Sequence, residues 1–155
     1  MHVFARTPVG GWSQQAYLKA SNTGGGDHFG GYGDGNLFGG SLAIIGDRLA
    51  AGAWEEDSCA KGINGGKQAE DDNQCGRAGA VYGFIRSSGM WSQNAYVKSS
   101  NTGVDHGFGI AVALTGDTLA VGAYREDSCA KGVNGVPTMS NPACEWTGAV
   151  YIFNP

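Results

Sequence analysis

Acidic and amide side chains occur in three turn-rich segments of this 155-residue chain, and calcium binds oxygen ligands of this kind, roughly six to eight of them. The first segment is rich in glycine, and each of the other two follows a short apolar run. The candidate metal ligands are Asp27, Asp34, Asn36, Glu56, Asp57, Glu126 and Asp127. Two structural alternatives remain open. The glycine-rich segment can serve as a surface connection, and an acid at a loop end can accept backbone N–H groups.

Two Asp-His pairs, Asp27-His28 and Asp105-His106, have the composition of an acid–base dyad. No nucleophile accompanies them at a fixed spacing, and adjacent residues of an extended segment point to opposite faces. We therefore expect a protein that is not an enzyme. His28 and His106 are instead candidate ligand-binding residues.

Aromatic residues recur at matched positions, and Trp54 aligns with Tyr124 where an apolar run ends. Sugars stack on exposed aromatic faces, so Trp54 and Tyr124 are further candidates for ligand binding. Packing in a core is the alternative for aromatic residues that recur in this way.

Four cysteines are divided equally between two equivalent loops. The repetition of the loops favours the local disulfides Cys59–Cys75 and Cys129–Cys144 over the other pairings. A zinc site is disfavoured because no Cys-x-x-Cys pair is present. Disulfides indicate an extracellular, cell-surface or periplasmic location, although the first residues lack the features of a secretory signal.

Composition excludes several kinds of partner. The net charge is −4 and the ten Lys and Arg are scattered, so a nucleic-acid partner is not expected. No apolar run approaches about 18 residues, which argues against a membrane-spanning helix. Gly accounts for 28 residues and Pro for four, which is typical of a chain with many tight turns.

Three blocks of sequence occur twice, and this repetition predicts stacked supersecondary units. The repeated blocks are residues 12–23 with 91–102, 46–53 with 116–123, and 79–84 with 148–153. Short apolar runs flank Gly46-Asp47 and Gly116-Asp117, which is typical of tight hairpins. A further strand and a Trp-led strand follow each hairpin. Four antiparallel strands per unit predict an all-β propeller, with a β-sandwich as the main rival.

The repeats suggest one domain over residues 1–155. We predict two four-stranded antiparallel blades, at about 12–90 with an insertion at about 24–37, and at about 91–155. Residues 1–11 would form a partial strand of a preceding blade. The Trp-led segment 12–20 is expected to complete the sheet that contains residues 149–153, within the chain or in a neighbour. Strand exchange and self-association into a dimer or trimer would then close the ring.

The paired motifs resemble the FG-GAP repeats of integrin α-subunit propellers and of bacterial secreted proteins. They are Phe38-Gly39 with Gly52-Ala53, and Phe108-Gly109 with Gly122-Ala123. The segments 57–65 and 127–135 look closer to the bacterial variety. The resemblance implies a β-propeller used for adhesion or ligand binding, often with calcium. The family's calcium ligands have no counterpart at the short Gly46-Asp47 and Gly116-Asp117 turns.

These observations predict an extracellular binding or adhesion module, with calcium as a candidate cofactor and a protein or glycan as a candidate ligand. One alternative is a purely structural unit that assembles with itself. The other is a carbohydrate-binding, lectin-like propeller.

Overall fold

The computed structural model describes residues 1–31, 41–64, 71–137 and 141–154, and its regular structure is almost entirely antiparallel β. One short 3₁₀ helix, Pro142–Cys144, is present in this part of the chain. The strands are β1 (His2–Arg6), β2 (Trp12–Tyr17), β3 (Leu42–Ile45), β4 (Arg48–Ala53), β5 (Ala80–Ser87), β6 (Met90–Val97), β7 (Phe108–Leu114), β8 (Leu119–Ala123) and β9 (Ala149–Phe153). The all-β class is confirmed.

The strands form three sheets. Sheet A is β1-β2, sheet B is β3-β4-β5-β6 and sheet C is β7-β8-β9. The first predicted hairpin is present, because Ile45 pairs with Arg48 across the two residues Gly46 and Asp47. Gly46 has a φ of 54°, a value that glycine adopts without steric cost. In the second unit the strands end at Leu114 and Leu119, and the Thr115 N–H donates to the Thr118 carbonyl at 2.8 Å across Gly116 and Asp117.

The Trp-led strand β2 pairs with β1, so the predicted pairing of residues 12–20 with residues 149–153 inside one chain is wrong. The β1–β2 hairpin is joined by a short loop, which costs little closure entropy. Its register matches that of the β5–β6 hairpin: Arg6 faces Trp12 as Arg86 faces Trp91, and a bulge follows at the same place.

Among the described residues, sheet C has three strands, whereas four were predicted for the second blade. The repeat units and the sheets are also offset by one strand. β6 begins the second predicted unit but is hydrogen-bonded to β5 of sheet B. The described residues thus contain one complete four-stranded sheet between two incomplete ones.

Sheet B lies between the other two sheets and buries both of its faces. Leu49 and Ala51 of β4 pack in a core cluster with Val3 and Leu18 from the start of the chain. Ala50, between them in sequence, packs on the other side in a cluster with residues of sheet C. Alternate residues of a strand point to opposite faces, so β4 serves both cores. Neighbouring propeller blades stack in this way, although the described residues form no closed ring.

The contact between sheets B and C brings two backbones together at glycine. Gly52 of β4 lies against Gly109 of β7, and a Cβ atom on Gly52 would be 2.0 Å from the Gly109 carbonyl oxygen. The Ser41 hydroxyl donates to that same carbonyl at 3.0 Å, and the Phe108 N–H donates to the Ala78 carbonyl at 3.0 Å. The Phe-Gly pair of one unit therefore packs on the Gly-Ala pair of the preceding unit.

In the first unit, Phe29 occupies the position that Phe108 has in the second unit. The sequence suggested Phe38 for this position. The Phe29 ring meets Tyr82 edge-on at 5.5 Å, as the Phe108 ring meets Tyr151 at 5.4 Å. The Gly30 N–H then donates to the Gly52 carbonyl at 2.8 Å, beside the start of β3. The extra residues of the first unit therefore follow Gly30, later than the predicted insertion begins, and Phe38 and Gly39 lie outside the described residues.

Both predicted disulfides are confirmed. Cys59 is joined to Cys75 and Cys129 to Cys144, with Cα–Cα distances of 5.0 and 5.4 Å. Each bond ties the loop after a β4-type strand to the residues before a β5-type strand. The two long polar loops are thereby fixed at the same end of the sheets.

Candidate functional site

The candidate residues gather in the turns that follow β4 and β8. β4 ends at Ala53, and the Glu56 N–H donates to the Ala53 carbonyl at 3.1 Å. The Glu126 N–H makes the equivalent bond to Ala123, at 3.4 Å. These bonds close one turn in each unit. The turns direct the side chains of Glu56 and Glu126 into the core, while the preceding residues, Glu55 and Arg125, remain partly exposed.

Glu56 is 1% exposed and forms the centre of a buried polar network. The Lys98 ammonium donates to Oε2 at 2.7 Å, and the Tyr96 hydroxyl donates to Oε1 at 2.8 Å. The Asn22 amide also donates to Oε1, at 3.1 Å, and the Ser58 N–H donates to Oε2 at 3.2 Å. A buried carboxylate needs this degree of compensation. Both Glu56 oxygens, proposed from sequence as calcium ligands, are therefore bound by protein donors.

The network changes the acid–base properties of its members. Burial lowers the pKa of the Lys98 ammonium, and the adjacent Glu56 carboxylate opposes that shift. Burial also raises the pKa of the Tyr96 hydroxyl, and the charge of Glu56 raises it further. Tyr96 therefore stays protonated and donates to Glu56 over the physiological range.

The second unit repeats part of this network. Glu126 is buried, and its Oε1 accepts from the Asn101 amide at 2.6 Å and from the Ser128 N–H at 3.1 Å. The Tyr151 hydroxyl donates to the Asn101 side-chain oxygen at 2.5 Å, as Tyr82 donates to Asn22. In the first unit, Tyr96 of β6 and Lys98 just after it donate to Glu56. No tyrosine or lysine among the described residues donates to Glu126 in the same way.

The other predicted metal ligands have separate partners. Asp27 accepts from the Gly24 N–H at 2.7 Å, and burial raises the pKa of its carboxyl group. Asp57 accepts from the Arg77 N–H at 2.7 Å, and Asp127 lies 2.9 Å from His106 Nε2.

In residues 1–31, 41–64, 71–137 and 141–154, no three His, Cys, Asp or Glu side chains are grouped to hold a metal ion. Asp57 satisfies a loop N–H group, as the capping alternative predicts. Asp34 and Asn36, the two remaining candidate ligands, lie outside the described residues.

The two Asp-His pairs are not equivalent in space. A Cβ on Gly24 would touch the Asp27 carboxylate, whereas a Cβ on Gly103 would touch the His106 ring, so Asp27 stands where the second unit has His106. His28 has a positive φ of 51° and stacks on Trp54 with ring centroids 5.9 Å apart. It also forms an ion-pair contact with Glu55. His106 is buried and pairs with Asp127, so the two histidines have different surroundings.

Tyr124, Arg125 and Trp146 form an exposed surface that we term the platform. Tyr124 is 41% and Trp146 65% exposed, and the Arg125 guanidinium lies 5.0 and 5.2 Å from their ring centroids. Trp54 is only 8% exposed and meets the Tyr124 ring edge-on at 6.0 Å. Of the two predicted aromatic ligand residues, Tyr124 therefore faces solvent and Trp54 supports it.

Trp146 is a candidate that the sequence comparison did not select. It precedes Gly148 by two residues, as Arg77 precedes Gly79, and both residues have positive φ, 59° and 55°. Because the two repeats carry different residue types here, matching identical residues could not find the position. The signal in the sequence that could have pointed to Trp146 was its position in the loop between Cys144 and β9.

Tyr151 gives a prediction for alkaline pH. Burial, followed in size by the charge of Glu126, raises the pKa of its hydroxyl from 10.0 to about 12. Above pH 10 the unfolded chain releases this proton while the folded chain keeps it, so the free energy of unfolding should fall as pH rises toward 12. Denaturant unfolding measured over this range should show a smaller fall for Tyr151→Phe. The exposed residue Tyr17 supplies the control, and equal slopes for Tyr151→Phe and Tyr17→Phe would contradict the assignment.

Comparison with known proteins identifies one part of the chain. Residues 91–136, less than half of its length, match the family model described as FG-GAP repeat. Searches of curated proteins and of solved structures gave no match. The matched segment contains β6 from Trp91 onward, all of β7 and β8, and the Phe108-Gly109 pair that packs against Gly52. The described residues include no helix with the length and apolar character needed to cross a bilayer.

Proposed function

We propose, from the premise that residues 91–136 form an FG-GAP repeat, that this chain is an extracellular, non-enzymatic binding module of propeller type. The stacked sheets act as a rigid scaffold, and the disulfide-tied loops at one end present the ligand-binding surface. The two disulfides support an oxidising location. An adhesive role follows if the ligand is on another cell or in a matrix.

The platform is the observation that carries this proposal. Two exposed aromatic rings have their centroids 5.0 and 5.2 Å from one guanidinium, and the Trp54 ring packs edge-on against Tyr124. Aromatic faces bind the apolar faces of sugars, while an arginine binds carboxylate or sulfate groups. An acidic glycan combines both properties, so we take a lectin-like mode of binding as the specific form of the proposal.

Calcium belongs to the proposal as an assisting ion and not as part of the platform. Four of the candidate ligands, Glu56, Asp57, Glu126 and Asp127, have partners within the chain. We therefore assign the assisting ion to the glycine-rich segment of Asp27, Asp34 and Asn36, in which Asp27 accepts one backbone N–H. A calcium effect on binding or on thermal stability, reversed by EDTA, would support this part of the proposal. Identical behaviour in calcium and EDTA would remove it.

A glycan array probed with the purified chain tests the platform. We expect binding to acidic sugars and a loss of at least about tenfold in Trp146→Ala, because exposed aromatic anchors contribute much of such binding energy. Trp12→Ala removes a tryptophan that is 71% exposed elsewhere and is the matched control. No binding to any sugar, or equal losses in the two variants, would count against the lectin-like mode.

A further inference from the structure

Two backbone hydrogen bonds join the first unit to the second at the disulfide end of the sheets. The Asp105 N–H donates to the Gly76 carbonyl at 2.8 Å, and the Gly107 N–H donates to the Arg77 carbonyl at 3.0 Å. A described sheet lies on each side of this junction, sheet B on one side and sheet C on the other. The loop that precedes β5 is therefore fixed to the segment that precedes β7.

Gly107 has contacts with both Arg77 and the platform. A Cβ atom on Gly107 would lie 2.4 Å from Cε1 of Tyr124, so the tyrosine ring packs directly on the Gly107 backbone. Gly107 has a φ of 64°, a conformation that glycine adopts without steric cost. Because the Arg77 carbonyl is bonded to the same glycine, Arg77 is a neighbour of Tyr124 from the preceding unit.

The Arg77 side chain is 52% exposed, and its Nε contacts the Asp105 carboxylate. The hydrogen bond to Asp105 and the charge of that carboxylate raise the pKa of the Arg77 guanidinium, and Glu55 and Tyr124 raise it further. Arg77 therefore keeps its charge over the physiological range. A guanidinium carries most of its donors on the two terminal nitrogens, so a contact through Nε leaves donors for an external anion. Asp105 thus orients Arg77 toward such an anion.

The carboxylates in this area already have partners. Asp105 contacts Arg77, and Glu55 contacts His28. In the part of the chain that the structure describes, Arg125 is paired with no carboxylate, and its guanidinium lies 5.0 Å from the centroid of the Tyr124 ring. Two guanidinium groups, one from each unit, therefore lie near the same tyrosine.

We infer that the ligand of the platform is a linear glycan with acid groups on at least two of its sugars. One acid group binds Arg125, where Trp146 stacks on the sugar that carries it, and a second acid group binds the terminal nitrogens of Arg77. The ligand thus runs from the second unit onto the first across Tyr124. This inference rests on the proposed function and narrows its ligand from an acidic sugar to a chain of acidic sugars.

The arrangement of the two arginines favours a ligand with more than one charge. Asp105 orients Arg77, and the rings of Tyr124 and Trp146 lie close to Arg125, so both guanidinium groups are in place before the ligand binds. Once the first acid group is bound, binding of the second is intramolecular. The second contact then raises the affinity more than a separate acidic sugar could.

A length series of acidic sugars tests the inference. The probes are the monomer, dimer, trimer and tetramer of a uronic acid and the same oligomers carrying O-sulfate, with affinities measured by titration calorimetry. We expect the affinity per sugar to rise at least about tenfold in one or both series once an oligomer reaches both arginines. Arg77→Gln should remove this rise and leave the affinity for the monomer within about twofold.

Two further variants serve as controls. Arg6→Gln removes the same charge at an exposed position on β1 and should leave the whole series unchanged. Arg77→Lys keeps the charge without the forked donors and should retain part of the rise. Thermal unfolding should give the same midpoint for Arg77→Gln and the unaltered chain, because the ion pair that is lost is exposed.

The outcomes separate this inference from the proposed function. Equal affinity per sugar for the monomer and the tetramer would overturn the inference, and so would the same length dependence in Arg77→Gln as in the unaltered chain. In both cases binding that is lost in Trp146→Ala would leave the lectin-like mode intact. Absence of binding in both series would also overturn the inference, and silence of the glycan array toward all acidic sugars would overturn the lectin-like mode with it.

Discussion

Replacing Lys98 with methionine is expected to lower the free energy of unfolding by about 3–5 kcal/mol, because it leaves the buried Glu56 carboxylate without its cation. Lys98 is fully buried, and its ammonium lies 2.7 Å from Glu56 Oε2. Methionine has nearly the same length and preserves most of the packing. The loss would therefore come from the uncompensated charge and not from a cavity. Denaturant unfolding monitored by tryptophan fluorescence measures it.

Two comparisons separate charge from packing. Lys19 occupies the same repeat position on an exposed strand, so Lys19→Met should change the stability of the isolated chain little. Adding Glu56→Gln to Lys98→Met removes the unpaired charge and should recover a large part of the loss. If the free energy of unfolding lost by the double variant equals the sum of the losses of the two single variants, the unpaired charge is not the cause of the Lys98→Met effect.

Gly52→Ala is expected to lower the free energy of unfolding by about 3 kcal/mol or more, at the upper end of overpacking effects. The new Cβ would lie 2.0 Å from the Gly109 carbonyl oxygen and 3.2 Å from the Ser41 Cβ. The first of these atoms belongs to the backbone of the next sheet and cannot rotate away. Sheets B and C would have to separate, which would loosen the core around Phe108.

Gly122→Ala is the matched control, since Gly122 holds the same position in the second unit. A Cβ there would meet its nearest neighbour at 3.7 Å, an ordinary contact distance. We expect a change within about 1 kcal/mol, because alanine replaces glycine in an extended strand without strain. Thermal unfolding of the two variants tests the difference. A Gly52→Ala protein as stable as Gly122→Ala would show that the sheets are not in close contact.

Features encoded within one repeat could be predicted from the sequence. The Gly46-Asp47 hairpin depends on local turn chemistry, and Cys59–Cys75 depends on a spacing that occurs twice. Repetition also predicted that the sheets would stack, because short strands with small residues need a neighbouring face on which to pack. These predictions required no knowledge of which residues meet across long distances.

Features that depend on contacts between units were missed or misplaced. Matching Asp27-His28 to Asp105-His106 by residue type concealed the structural match of Phe29 to Phe108. Two equivalent strands, β1 and β9, could have paired with β2. The observed partner is β1, which is nearer along the chain. The burial of Lys98 was not foreseen either, since a lysine on a strand is ordinarily solvated. Its burial depends on Glu56, which is distant in sequence.

The double pairing of β6 has a consequence for the order in which the molecule opens. β6 is bonded to β5 on one edge and to a disulfide-anchored loop on the other, so its release breaks two sets of hydrogen bonds and exposes a buried ion pair. β2 has a single neighbour and exposed side chains along most of its length. Local opening of the hairpin β1–β2 can therefore occur many times for each opening of sheet B. Fraying is therefore confined to the β1–β2 hairpin, while the central sheet stays closed.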